Sequence, residues 1–314
     1  MSSTPNYQHL RIVFFVLHII GGHVGLPILV AIFHLSKKIS RPPTLINFCI
    51  SWIFFSVFYC ISLFDDLRRG YEPEQPSNAC RAQAILVYGA PPMAAVAGLV
   101  EVIHIWSRIG DPSLKSSLRV EWWVNRSPLR FVMLVLPYVV LLAFTLGSGL
   151  MLHIFPERLT ASNGLYCALD NSLDNAVPLF CTIVLIFIVG FEGSIILRRF
   201  RSWRELNSLA PLAKSDNSPT MIIRVGIFTA YSIITLSAGV FFLSGNQSPW
   251  PFMVQAALPL TALLVFGAHQ DVAEALCFWR RTPEEPTEDT FEETLSRLQC
   301  RTNSTLALSF YESV

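Results

Sequence analysis

Residues 79–107 read ACRAQAILVYGAPPMAAVAGLVEVIHIWS, and this stretch decides the class of fold. Between Arg81 and Glu101 no residue is charged. A helix rising about 1.5 Å per residue crosses a hydrocarbon core of about 30 Å with roughly 20 apolar residues. Working outward, six further stretches meet that length: Arg11–Leu35, Thr44–Phe64, Arg130–Phe155, Ala176–Leu197, Met221–Leu243 and Pro251–Cys277. Lipid leaves backbone groups no water to bond, so single runs this long are helices. The expected architecture is an all-α membrane protein, a seven-transmembrane helix bundle over 11–281. A short segment, 1–10, precedes it and a tail, 282–314, follows.

Composition agrees. Apolar residues make up 52% of the 314 and charged residues only 14%, below the roughly 25% of a soluble domain. No basic run points to nucleic acid. The first apolar stretch is too long for a signal peptide, is interrupted by Gly21-Gly22 and lacks an A-x-A-like exit, so it reads as a retained span.

Lysine and arginine set the expected orientation. The link after span one carries Lys37, Lys38 and Arg41 with no acid. Those after spans three and five carry Arg108, Lys115, Arg119 and Arg126, then Arg198, Arg199, Arg201, Arg204 and Lys214. On the other side Asp65, Asp66, Glu72, Glu74, Glu157, Asp170 and Asp174 outnumber the bases. Cationic loops stay cytoplasmic, which puts the amino terminus outside and the carboxyl terminus inside.

In that topology Cys80, at the mouth of span three, and Cys167, in the loop before span five, both face an oxidising compartment. A disulfide between them would tie the second outer loop to span three, with Cys60 as the rival partner. Cys49 and Cys181 read as packing residues. Cys277, where span seven ends, is a candidate for S-palmitoylation.

Seven spans, a cysteine opening span three and a second before span five resemble the G-protein-coupled receptor superfamily. So does a short membrane-surface segment, Ala275-Leu276-Cys277-Phe278-Trp279-Arg280-Arg281. Tyr166-Cys167 and the stretch Phe266-Gly267-Ala268-His269-Gln270-Asp271 are similar to the texture of orphan seven-helix receptors of mushroom-forming fungi. The chain diverges from the rhodopsin-like class. Its inner span three has His104-Ile105-Trp106 in place of Asp/Glu-Arg-Tyr, and span seven has Leu258-Pro259-Leu260-Thr261 in place of Asn-Pro-x-x-Tyr. The resemblance implies an extracellular small ligand, a heterotrimeric G protein as partner, membrane lipid around the bundle and residence in the plasma membrane. It implies no cofactor.

Charged residues inside spans are costly and usually face a partner or a water-filled space. Glu101, Glu192, Arg224 and Asp271 are the clear cases, all in the cytoplasmic halves of their spans. Glu101, His104 and Arg108 share one helical face. Glu101, Glu192 and Arg224 are read as a cytoplasmic latch, and His104, Arg108, His269 and Asp271 as inner-face signalling candidates. Snorkelling to headgroups is the plainer account of Arg108 and Arg224.

The outer half is nearly free of charge. Trp52, Tyr88, Phe180, Tyr231, Phe241 and Gln255 are the candidates to line a pocket there, suited to a small, mostly uncharged ligand. Pro27, Pro91-Pro92, Pro137, Pro178 and Pro259 predict local kinks. Gly21-Gly22, Gly147 and Gly149 predict close helix contacts.

A transporter or channel is the alternative class, against which stand the odd span number, no evident repeat between halves and no charge at the midplane. A metal-dependent lipid hydrolase ranks below it. His18 and His23 sit at i and i+5, about 140° apart on an α-helix, and no H-x-x-x-H or H-E-x-x-H pair exists in any span. Span seven has no lysine for a retinal Schiff base. The tail is acidic, then rich in Ser and Thr, and is expected to be disordered.

Overall fold

A computed structural model of the protein describes residues 8–35, 41–69, 77–108, 127–160, 165–169, 175–209, 219–244 and 248–267. His269, Asp271, Cys277, the membrane-surface segment and the tail lie outside the described residues. Arg108 and Arg224 are described in their backbone only.

Among the described residues seven helices are long and apolar enough to cross a membrane, which makes this an integral multi-pass protein. They are α1 (Arg11–Leu35), α2 (Pro43–Arg69), α3 (Asn78–Arg108), α4 (Ser127–Ile154), α5 (Ala176–Leu209), α6 (Pro219–Leu243) and α7 (Trp250–Gly267). Two helices run past their expected ends, α2 beyond Phe64 to Arg69 and α5 beyond Leu197 to Leu209. A two-residue antiparallel pairing, β1 (Leu159–Thr160) with β2 (Ala168–Leu169), lies in the connection between α4 and α5.

Neighbouring helices form a closed arrangement in which α3 packs on α2, α4 and α5, α5 on α6, α6 on α7, and α7 on α1. The burial pattern follows from this. In α3, 72% of the most apolar window is buried, whereas in α4 only 6% is. Small residues along α3, such as Ala84, Ala90, Ala94 and Ala97, let its neighbours approach closely and are themselves buried. Leu142, Leu146 and Leu150 of α4 are exposed instead, as expected of side chains that meet lipid tails.

The glycines divide. Gly21 abuts the backbone of Pro259 and Leu260 on α7, and Gly22 abuts Ser56 on α2, so a Cβ at either would collide. Gly149 is in ordinary contact range of Ile85. Gly147 has nothing within 4 Å, so no helix contact explains it.

The proline expectations also divide. Helix α3 continues unbroken through Pro91 and Pro92, as α7 does through Pro259. Pro178 lies in the first turn of α5, where a missing N–H costs no helical bond, so no kink arises there. Ahead of Pro27, α1 widens into a π segment, Ile19–Gly25, in which the Leu26 amide donates to the carbonyl of Gly21. Proline clashes with the turn before it, and a widened turn over three glycines relieves the clash.

Candidate functional site

The disulfide joins Cys80, in the first turn of α3, to Cys167, with an S–S distance of 2.06 Å. Cys60, the rival partner, is free and buried, as is Cys49. At this end of the bundle the loop is held by more than one bond. The Cys167 amide donates to Gln83 Oε1 at 3.0 Å, and Tyr88 Oη donates to the carbonyl of Leu169 at 2.5 Å. Gln83 is fully buried and spends its amide hydrogens on the carbonyls of Phe58, at 3.2 Å, and Tyr59, at 2.8 Å. One side chain thus ties α2, α3 and the loop together, and none of its polar atoms is left unmatched.

Under the loop lies a compact aromatic and neutral-polar cluster. Gln255 of α7 donates to Tyr59 Oη of α2 at 2.7 Å. The ring of His18 on α1 stacks on Tyr59 with centroids 5.3 Å apart and 7° between planes. Phe14 meets His18 edge-on at 4.7 Å, and Phe55 lies 5.7 Å from it. His18 Nδ1 is 3.4 Å from Ser56 Oγ, while His18 Nε2 is buried with no hydrogen-bond partner among the described residues.

The six pocket candidates do not converge on one cavity. Gln255 belongs to the cluster just described. Trp52 lies beneath it, in edge contact with Phe55 at 5.0 Å and with Phe48 at 6.0 Å. Tyr88 anchors the loop and also lines an open cleft of about 240 Å³ with Ala143, Phe144, Gly147, Ser148, Ala176 and Val177. Phe180 packs on Phe144 at 5.2 Å between α4 and α5. Tyr231 donates to the carbonyl of Val254 at 3.3 Å, linking α6 to α7. Phe241 is exposed and meets Trp250 edge-on at 4.9 Å. Four of these residues are expected in the outer half and Trp52 and Tyr231 near the midplane, and helical phase spreads the six over different interfaces.

Sequence reasoning passed over Ser56, Tyr59 and Gln83, and weighed His18 only as a metal ligand, although these four build the centre of the cluster. The signal available was their polarity within apolar spans. The histidine pair also needs correction. His18 and His23 are separated on an α-helix, but the π segment between them places i and i+5 one turn apart. His23 Nδ1 accordingly lies 3.3 Å from the carbonyl of His18. Among the described residues no group of three or more His, Cys, Asp or Glu side chains could hold a metal.

In the opposite half of the bundle Glu101, His104 and Glu192 are all buried. The face carrying Glu101 and His104 is therefore turned inward. Ser232 of α6 donates to Glu192 Oε1 of α5 at 3.0 Å. Near the end of that half, the Arg198 guanidinium sits 4.4 Å over the Trp106 ring, and Trp106 meets Phe191 edge-on at 5.5 Å. A cation over an indole face is attracted by the ring quadrupole, so this contact clamps α3 to α5. Among the described residues both buried carboxylates lie in this half, whereas buried neutral polar groups occur in both halves, with Thr44, Ser51, Ser107 and Ser232 in this one.

No family model matches the chain, and no curated protein matches it. Its fold is similar to the crystal structure of squid rhodopsin, with a TM-score of 0.53, covering 90% of this chain and 89% of that one. The two are 16% identical, so the likeness is one of fold. A seven-helix, rhodopsin-like bundle is the architecture of this protein.

Proposed function

We propose that the protein is a membrane receptor that senses a small extracellular ligand at its disulfide end and signals through the opposite end to a heterotrimeric G protein. The observation that carries the reading is a neutral polar and aromatic cluster at one end of the bundle, with both buried carboxylates in the other half. Neutral hydrogen-bonding and aromatic side chains from α1, α2 and α7 meet under a loop tied to α3. The buried carboxylates Glu101 and Glu192 lie in the other half. The first arrangement suits recognition of an uncharged ligand. The second suits an element with two states, because a buried carboxylate exchanges partners at a large energetic difference.

The orientation is part of the proposal. The disulfide favours an oxidising compartment at its end, and the lysine and arginine of the links after spans one, three and five favour the cytoplasm at the other. The plasma membrane is the location that fits both. The fungal orphan receptors remain the group whose sequence texture the chain most resembles.

The test is guanine-nucleotide exchange on purified heterotrimeric G proteins by the full chain in lipid nanodiscs. Exchange above that of empty discs supports the receptor. Saturable solute uptake into proteoliposomes with no exchange would replace it with a transporter or channel.

A further inference from the structure

Tyr166 belongs to the loop between α4 and α5, yet its ring reaches across the bundle to three other helices. It stacks on Phe14 of α1 at 6.0 Å, meets Tyr59 of α2 edge-on at 5.0 Å and meets Phe252 of α7 at 6.2 Å. All three separations fall in the range where aromatic rings attract one another. The flanking residues Leu165 and Cys167 are buried, so the backbone itself dips inward here. It is held down by the disulfide, by Gln83 and, through Leu169, by Tyr88.

We propose that Phe14, Tyr59 and Phe252 form a site for a neutral aromatic molecule bearing a hydroxyl, and that the chain's own Tyr166 is its tethered occupant, displaced when the ligand binds. This deepens the receptor reading and rests on it for the ligand's role. Three observations support the class of ligand. The walls are aromatic rings from three helices. The polar side chains of the cluster, His18, Ser56, Tyr59, Gln83 and Gln255, include no carboxylate or amine, and the one cation nearby among the described residues, Arg11, lies over the Phe15 ring. And His18 Nε2, fully buried beside Phe14 and Tyr59, has no hydrogen-bond partner among the described residues. A buried polar atom without a partner is costly, and a ligand hydroxyl at that nitrogen would remove the cost.

Tethering explains why displacement is needed. A ring held next to the disulfide-bonded Cys167 competes at a high effective concentration, so a free ligand binds the intact protein weakly and gains when the tether or the ring is removed.

The probe is 4-methylphenol, titrated against the full chain in nanodiscs by saturation-transfer NMR, with empty discs setting the background from lipid partitioning. Tyr166→Ala should bind it at least about tenfold more tightly than the wild type. Tyr166→Phe, which keeps the ring, should resemble the wild type. Reducing the Cys80–Cys167 bond in the wild-type chain should give a gain of the same sign without any substitution that might impair folding. Toluene, which lacks the hydroxyl, should gain less than 4-methylphenol. Equal affinity in wild type and Tyr166→Ala, no response to reduction, or equal gains for toluene would each overturn the proposal. Should this binding pattern appear while no G protein responds, the receptor reading falls and the tethered occupant stands. Should exchange occur while Tyr166→Ala gains nothing, the reverse holds.

Discussion

Ser232 on α6 donates a 3.0 Å hydrogen bond to Glu192 on α5, and both side chains are buried. Interhelical hydrogen bonds in membranes average only about 0.6 kcal/mol. Stripping a partner from a buried polar group costs more, about 1–3 kcal/mol. The second figure applies here, so Ser232→Ala should lower thermal stability in nanodiscs by about 1 kcal/mol or more. In a Glu192→Gln background the same substitution should cost clearly less, because the acceptor is then neutral. Equal costs in the two backgrounds, in a double-mutant cycle, would show that the pair carries no charge-dependent coupling.

The disulfide makes a second prediction. Cys80 and Cys167 share one bond, whereas Cys60 is free. Cys80→Ser and Cys167→Ser should therefore show the same defect in surface delivery, and the double variant should be no worse than either. Cys60→Ser should be close to wild type. Additive defects would mean that the two thiols act separately.

Close packing makes the third. Gly21→Ala places a methyl against the backbone of Pro259 and Leu260, which cannot turn aside as a side chain does. Overpacking of this kind costs about 1–3 kcal/mol. Gly147→Ala meets open space and removes a helix-weakening glycine, which is worth about 0.5–1 kcal/mol in the other direction. Melting temperatures of the two variants should therefore move in opposite directions. A fall for Gly147→Ala would place an unseen neighbour against it.

Orientation supplies the fourth. With single introduced cysteines, a membrane-impermeant maleimide applied from outside should label positions near Gly70 and Asn163 and spare those near Lys37 and Lys214. The reverse pattern would invert the receptor and every assignment of inner and outer face.

How much of this was legible beforehand depended on the kind of information each residue carries. Span number follows from apolar length alone, and α3 opens at Asn78 against an expected Ala79, but α5 continues to Leu209 past the expected Leu197. The Cys80–Cys167 bond follows from depth and side. Which way a side chain points depends on helical phase and tilt, and apolar spans mark these weakly because both faces are hydrophobic. That is why the contacts of Phe241 and Phe180, and the meeting of Tyr59 with Gln83 and Gln255, could not be read from the spans. The meeting of His18 and His23 required a local change of period over Ile19–Gly25, and a calculation on α-helical geometry misses it.

The last prediction concerns Arg224, whose backbone position is known. It stands at i to Phe228 at i+4 and Ser232 at i+8, one face of α6. Phe228 packs on the apolar cluster of α3 and α5, and Ser232 meets Glu192. That face of α6 is therefore turned toward the helices that carry Glu101 and Glu192. A base within a span is costly without a partner, and two buried carboxylates lie on the neighbouring helices. In the receptor reading, an ion pair of Arg224 with one of them holds the cytoplasmic ends of α3, α5 and α6 together in the inactive state. A latch worth about 1–3 kcal/mol shifts the active population about 5- to 150-fold when broken. Arg224→Ala should raise ligand-independent exchange while surface expression stays near normal. Glu101→Gln and Glu192→Gln should do likewise, and the one that adds nothing on top of Arg224→Ala is the partner. If all three leave basal exchange unchanged in folded protein, Arg224 reaches the headgroups instead and α6 is held by Ser232 and apolar packing.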